Sequence, residues 1–314
     1  MNASAAVMAV LRCPGCRHTL AAAGEGWVCT GPERHTFGCE GGLPTFASID
    51  PGKYGSGYAK QYAALWAYGF ASRHSGLNEP LYRTVAALSA EALTSTSARS
   101  EEAVIVDAGC GVGRTTADCA QLAPTAAVLG FDGSPHMLAL AARIVQGSSP
   151  VRVDLRHAGF RRLTIAGRGL PQVFLARADV ERLPVADDCA DLVLSVNIVD
   201  RLPRGPEPAL RECHRLLRPG GWLVFTDPLN FQQRELWKRY GAGGSSAAMG
   251  RLIAKVGFRV ETWFDDLWYR EVLDARGSFE EFRTLVVKAR KAPSQNQLST
   301  RSRVRSSLES IRVR

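Results

Sequence analysis

Val104-Ile105-Val106-Asp107-Ala108-Gly109-Cys110-Gly111-Val112-Gly113-Arg114 decides how this chain is read. A short apolar run rich in β-branched residues reads as a buried strand. The glycine-dense turn then leads into Thr115-Thr116-Ala117-Asp118-Cys119-Ala120, which reads as a helix. Glycines at 109, 111 and 113 let the backbone turn sharply and approach a ligand, and the free N–H groups of a new helix favour negative groups. A dinucleotide fingerprint would need glycine at 114, where Arg114 stands, so a pyrophosphate binder is disfavoured.

A second unit follows at the spacing that such a turn needs. Ala127 to Phe131 is strand-like and ends in Asp132, an acid 23 residues beyond Gly109 that can accept hydrogen bonds from both ribose hydroxyls. Gly133-Ser134-Pro135-His136-Met137-Leu138 opens a helix, with Ser134 as a natural N-cap and Pro135 as a natural first residue. Together D-x-G-x-G-x-G and D-G-S-P-x-M-L resemble the first two motifs of the class I S-adenosylmethionine (SAM)-dependent methyltransferases. The stretch Ala178-Asp179-Val180-Glu181-Arg182-Leu183-Pro184 resembles that family's third. The resemblance implies an α/β fold, a doubly wound, mostly parallel seven-stranded Rossmann-like sheet. It assigns cofactor contacts to Asp107, Gly109, Gly111, Gly113, Asp132, Gly133 and Met137, adenine contacts to Asp179 and the Val180 backbone, and a place beside the sulfonium to Asn197.

Ala190 to Val196 reads as the fourth strand, with Asn197 and Asp200 at its end, and Arg218-Pro219-Gly220-Gly221 leads into the fifth. Gly257 to Phe264 and Phe282 to Lys288 read as two closing strands, and the residues Asp265 to Tyr269 between them are in reach of a substrate. His214 reads as structural. SAM carries an already activated methyl, so no general base is obligatory; Asp200 and Tyr62 are weak candidates should the acceptor need to lose a proton.

Ahead of the first strand, Tyr58, Tyr62, Leu65, Trp66 and Phe70 fall at roughly helical spacing, and Leu81 to Leu93 reads as a second helix. These read as core, or as a lid over the cleft. Residues 12–46 form a separate unit. Cys13-Pro14-Gly15-Cys16, Cys29 and either His35 or Cys39 can close a tetrahedron around zinc, supplying folding energy that so small a module lacks. The pattern resembles the zinc ribbon of bacterial 23S ribosomal RNA guanine-N1 methyltransferases, which favours His35 as the fourth ligand. The division expected is ribbon 1–50, helical cap 51–100, methyltransferase domain 101–291 and a basic, disordered tail 292–314.

The net charge of +9 is concentrated rather than spread. Residues 288–314 hold eight basic side chains against Glu309, and 148–171 holds five arginines against Asp154. By topology the second patch reads as a solvated insertion away from the strand ends where ligands bind. Residues 1–50 carry three basic and four acidic groups, so the ribbon is no phosphate clamp. A small-molecule acceptor is therefore expected ahead of ribosomal RNA, with a catalytically silent SAM-binding protein recruited through its ribbon as a third reading. No uncharged apolar run reaches the roughly 18 residues of a membrane span. The N-terminus lacks the basic start of a secretory signal, and Cys110, Cys119, Cys189 and Cys213 read as free thiols of a reducing cytoplasm.

Overall fold

The computed structural model describes residues 4–47, 49, 55–68, 79–95, 103–241 and 246–292. Phe70 and, beyond Ala292, the basic tail lie outside the described residues. Seven strands form one sheet: β1 (Val104–Ala108), β2 (Ala127–Asp132), β3 (Phe174–Arg177), β4 (Ala190–Val196), β5 (Leu217–Asp227), β6 (Phe258–Val272) and β7 (Phe279–Lys291). Their order across the sheet is β3-β2-β1-β4-β5-β7-β6, with β1 to β5 parallel and β7 antiparallel to both neighbours. This is the doubly wound, mostly parallel sheet expected from the sequence.

The strands form here because they are apolar on both faces, as a sheet covered on both sides requires. Every residue of β1 and β2 is buried. Val104 and Val106 face a core shared with Val7, Leu11 and Trp27 of the N-terminal segment, while Ile105 faces the helices Glu79–Ser95 and Arg114–Leu122. The order reverses between β1 and β4, which opens a crevice at the carboxyl ends of the parallel strands.

Two features differ from the expectation. The fifteen residues of β6 run unbroken through Asp265 to Tyr269, absorbing two register shifts, and the turn comes only at 273–278. Asp265 thereby points away from the crevice to Ser246 and Arg283, at 2.7 and 3.0 Å, while Tyr269 is 3% exposed and faces inward. The basic segment is likewise more than a solvated insertion. Val151–Val153 pairs antiparallel with Leu163–Ile165, so alternate residues bury against Leu65, Trp66, Met137 and Leu140 while Arg152 points out. Strand alternation explains how one segment is both basic and half core.

The cap is the helix Ser56–Gln61, continued by a π-helical turn Tyr62–Ala67. Trp66 Nε1 donates to the Val272 carbonyl at 2.7 Å, and Arg114 donates to the Ala67 carbonyl at 2.6 Å while lying 4.9 Å from the Tyr82 ring centre. Arg114, which replaces the last glycine of a dinucleotide fingerprint, thus fastens the cap to the glycine turn.

Candidate functional site

A cavity of about 560 Å³ opens at the carboxyl ends of β1 to β5, under the cap and beside the inner face of the β6–β7 hairpin. Gly109, Gly111, Asp132, Gly133, Met137, Asp179, Val180 and Asn197 line it, as does Tyr62. Asp107, Gly113 and Asp200 are not among its lining residues.

The glycine turn is held from below. Gly109 and Cys110 N–H groups donate to the Phe131 carbonyl at 2.8 and 2.9 Å. Gly109 has φ +88°, and a Cβ there would stand 2.3 Å from Ile198 Cδ1, so both conformation and space demand glycine. At Gly111 a Cβ would meet nothing nearer than Tyr62 Cε1 at 3.9 Å, which leaves backbone bare towards the cavity. The Asp132 carboxylate, 8% exposed, accepts from Gly111 N at 2.9 Å with one oxygen and from Ser134 N at 2.7 Å with the other. Burial pushes its carboxyl up while these backbone donors hold it down, and each oxygen retains a further lone pair for a ligand hydroxyl.

Asp107 and Gly113 belong to the scaffold of the turn. A Cβ on Gly113 would stand 2.6 Å from Val145 Cγ2, so this glycine lets two helices close on each other. Asp107 is completely buried and accepts the hydroxyls of Thr115 and Thr116 at 2.7 and 2.6 Å through one oxygen. Burial pushes its carboxyl up to about 6 against those two donors. A carboxyl raised on folding gives stability that is present below its unfolded pKa and lost as pH rises through its folded one. Relative to Asp107→Asn, the wild type should therefore lose about 3 kcal/mol between roughly pH 4 and pH 7. Parallel pH slopes in urea unfolding of the two proteins would contradict this.

On the other side of the cavity, Asp179 Oδ1 accepts from Glu181 N at 2.9 Å, and Arg204 reaches across to both Asp179 and Glu181. Asn197 has φ +54° and is gripped twice: its amide donates to the Tyr269 hydroxyl at 2.7 Å, and its Oδ1 accepts from Thr226 at 2.8 Å. Asp200 lies behind the wall, fully buried, with its N–H on Asp227 Oδ2 at 3.2 Å and its carboxylate 3.2 Å from Arg201 Nε. Burial beside Asp200 drives the Asp227 carboxyl well above the usual carboxylate range. It is Arg201, not Asp200, that faces the cavity. The Tyr62 and Tyr82 hydroxyls lie 3.1 Å apart, and burial pushes both up. The Tyr62 phenol therefore stays protonated at neutral pH and can donate a hydrogen bond.

Away from the cavity, the ligand atoms of Cys13, Cys16, Cys29 and His35 all lie within 4.8 Å of one another. Cys13 Sγ is 3.5 Å from His35 Nδ1 and Cys16 Sγ 3.2 Å from Cys29 Sγ, distances that suit neighbouring corners of a tetrahedron around one ion. Cys39 is not in this cluster; it pairs with Pro44 in a separate two-stranded ribbon.

Residues 106–225, which run from β1 to β5, match the family model described as a methyltransferase domain. The chain carries a class I SAM-dependent methyltransferase domain. This chain is 28% identical over 198 residues to a trans-aconitate 2-methyltransferase of Azoarcus, covering 58% of this chain and 67% of that one. It is 32% identical over 141 residues to the malonyl-(acyl-carrier protein) O-methyltransferase of Pectobacterium atrosepticum, covering 43% and 44%. A TehB-like SAM-dependent methyltransferase of Corynebacterium glutamicum superposes with TM-score 0.41 at 21% identity, over 67% of this chain and 94% of that one. The chain spans 36%, 31% and 44% of the length of three curated relatives that it matches. Among the described residues no helix is long and apolar enough to cross a membrane.

Several residues of the methyltransferase cavity were missed by sequence reasoning. Arg201 and Arg204 come from the loop after β4, and Glu271 and Phe282 from the β6–β7 hairpin. The alternation Leu267, Tyr269, Glu271 is a period-2 signal that would have extended the strand to them. Nothing local marks the two arginines.

Proposed function

We propose that this protein transfers a methyl group from SAM to a small-molecule acceptor held in the cavity. The observation that carries the reading is the convergence, on one cavity, of the bare backbone at Gly111, the buried acceptor Asp132 and the acceptor Asp179. This donor and acceptor set fits an amino-acid nucleoside. Asp132 takes the ribose hydroxyls, Asp179 and the Val180 N–H take the adenine, and Gly109, Gly111, Gly133, Met137 and Asn197 complete the cradle. Asp107 and Gly113 serve the cofactor from beneath, by shaping the turn.

When bound, SAM supplies a methyl on a positively charged sulfur, so the chain's own task is to bind, align and exclude water. Tyr58 and Tyr62 from the cap and Tyr269 and Phe282 from the hairpin wall the acceptor side. Their neutral rings provide an apolar, water-poor space whose faces are compatible with a cation. Asn197, fixed between Tyr269 and Thr226, orients a polar group at the strand end. Relatives named for methylating trans-aconitate and malonyl groups support a small acceptor. So does the ribbon, which lacks basic excess and presses its Trp27 against Phe174, ring centres 6.2 Å apart, rather than outwards.

In this reading residues 1–50 are a structural zinc ribbon held by Cys13, Cys16, Cys29 and His35, 51–100 a cap, and 101–291 the catalytic domain. Labelled methyl from SAM is expected to enter a metabolite extract incubated with the protein. Label confined to RNA would overturn the acceptor class, and no transfer to either would overturn the activity.

A further inference from the structure

The ribbon and the cavity are joined through one side chain that neither motif includes. Arg177 ends β3 directly opposite Asp132 in the parallel register. Its side chain is 11% exposed, and each of its three nitrogens donates a hydrogen bond. Nε donates to the Gly133 carbonyl at 3.0 Å, in the turn that follows Asp132. Nη2 donates to the Ile49 carbonyl at 2.5 Å, and Nη1 to Glu40 at 2.9 Å, both in the N-terminal segment. Ile49 itself lines the cavity, its Cδ1 standing 3.4 Å from where a Gly133 Cβ would be.

A second link ends inside the cysteine knuckle. Arg182 Nη2, on the loop carrying Asp179 and Val180, donates to the Gly15 carbonyl between Cys13 and Cys16 at 2.8 Å. Two of the loops that flank the cavity are thus tied to a module whose knuckle carries the ligand set of a structural metal, which would fix the knuckle's backbone when bound. The module has been read as a recruitment device, yet its polar contacts run inward.

We propose that Arg177 is a positioning residue through which the metal-bound ribbon holds the Gly133–Ser134 turn, so that metal occupancy sets affinity for the cofactor. The proposal rests on the SAM reading above. A planar guanidinium is suited to it, since a rigid fork fixes two carbonyls and a carboxylate at once and loses little freedom in doing so. Binding linkage makes the coupling reciprocal: a cofactor that is bound more tightly with the metal present must retain the metal more tightly by the same factor.

The test uses the full, zinc-loaded chain and S-adenosylhomocysteine as probe. In calorimetry, Arg177→Gln is expected to weaken binding about tenfold, within the usual range of coupled sites, with zinc content unchanged. Arg177→Lys should recover part of the loss. Stripping zinc from the wild type should cost at least that factor, whereas stripping Arg177→Gln should add only the several-fold share of the Arg182 link, less than the loss in the wild type, because one of the two links is already gone. Arg182→Gln, which alters an exposed side chain, should cost several-fold with the fold intact. Saturating S-adenosylhomocysteine should slow zinc loss to a chelator in the wild type and do so much less in Arg177→Gln. Equal affinity with and without zinc, or an unaltered affinity in Arg177→Gln, would overturn the proposal. If the probe fails to bind the loaded wild type, the cofactor reading falls, and amide exchange still decides the brace. Faster exchange over 132–134 and 179–183 in Arg177→Gln and in the stripped protein supports it, and unchanged exchange overturns it.

Discussion

Asp132→Ala is expected to weaken S-adenosylhomocysteine binding by about two orders of magnitude or more. Two ribose hydroxyls donating to an ionised, buried acceptor are worth about 1.5–3 kcal/mol each, so their joint loss exceeds 3 kcal/mol. The same substitution also releases the Gly111 and Ser134 N–H groups, which leaves the glycine turn and the next helix start without their common anchor. Titration calorimetry on wild type and variant checks this, with circular dichroism to show that the sheet persists. An unchanged affinity in a folded variant would remove Asp132 from the cofactor site and with it the strongest support for SAM.

Cys16→Ser is expected to reduce bound zinc from about one ion per chain to nearly none, following the four-ligand requirement of a structural site. The consequence for stability should be large, several kcal/mol, because zinc binding in such modules is their folding energy. The loss would spread further than the ribbon. Trp27 is 4% exposed and packs on Phe174 of β3, and Val7 and Leu11 share the core with Val104 and Val106. Metal analysis, a thermal melt and the red shift of indole emission measure the three effects. A wild-type protein purified free of metal, folded and with buried Trp27 would refute the metal site.

The legible part of this molecule is the part governed by local rules. Runs of Val, Ile, Leu and Ala marked β1, β2 and β4 to within a residue or two, since strands buried on both faces need continuous apolar sequence. The glycines of the turn were legible for a local reason too: a positive φ, +88° at Gly109, is open to glycine without steric cost. Cysteine spacing marked the knuckle. Less legible were elements whose sequence mixes polar and apolar residues for reasons that lie elsewhere in space. β6 reads as a strand followed by a loop because Asp265, Asp266 and Arg270 interrupt the apolar pattern, while Tyr269 and Glu271 face the cavity. Segment 148–171 reads as a charged insertion because its five arginines are interleaved with its core residues, although Val151, Val153 and Ile165 are buried under the cap.

By itself, the sequence determined the sheet, the glycine turn with its acid 23 residues on, and a cysteine set of ligand spacing. These follow from rules that act over a few residues: steric limits on φ, hydrophobic period and ligand distance along the chain. Only the tertiary structure decided which acids reach the cavity and which lie beneath it, because Asp107, Asp132 and Asp200 all stand near the carboxyl ends of strands and differ in what packs over them. It also decided that His35 rather than Cys39 joins the cluster, and that Arg177 and Arg182 bind the ribbon to the cavity loops. Those pairings span up to 167 residues of chain, and no local pattern encodes a contact that exists only after the core has formed.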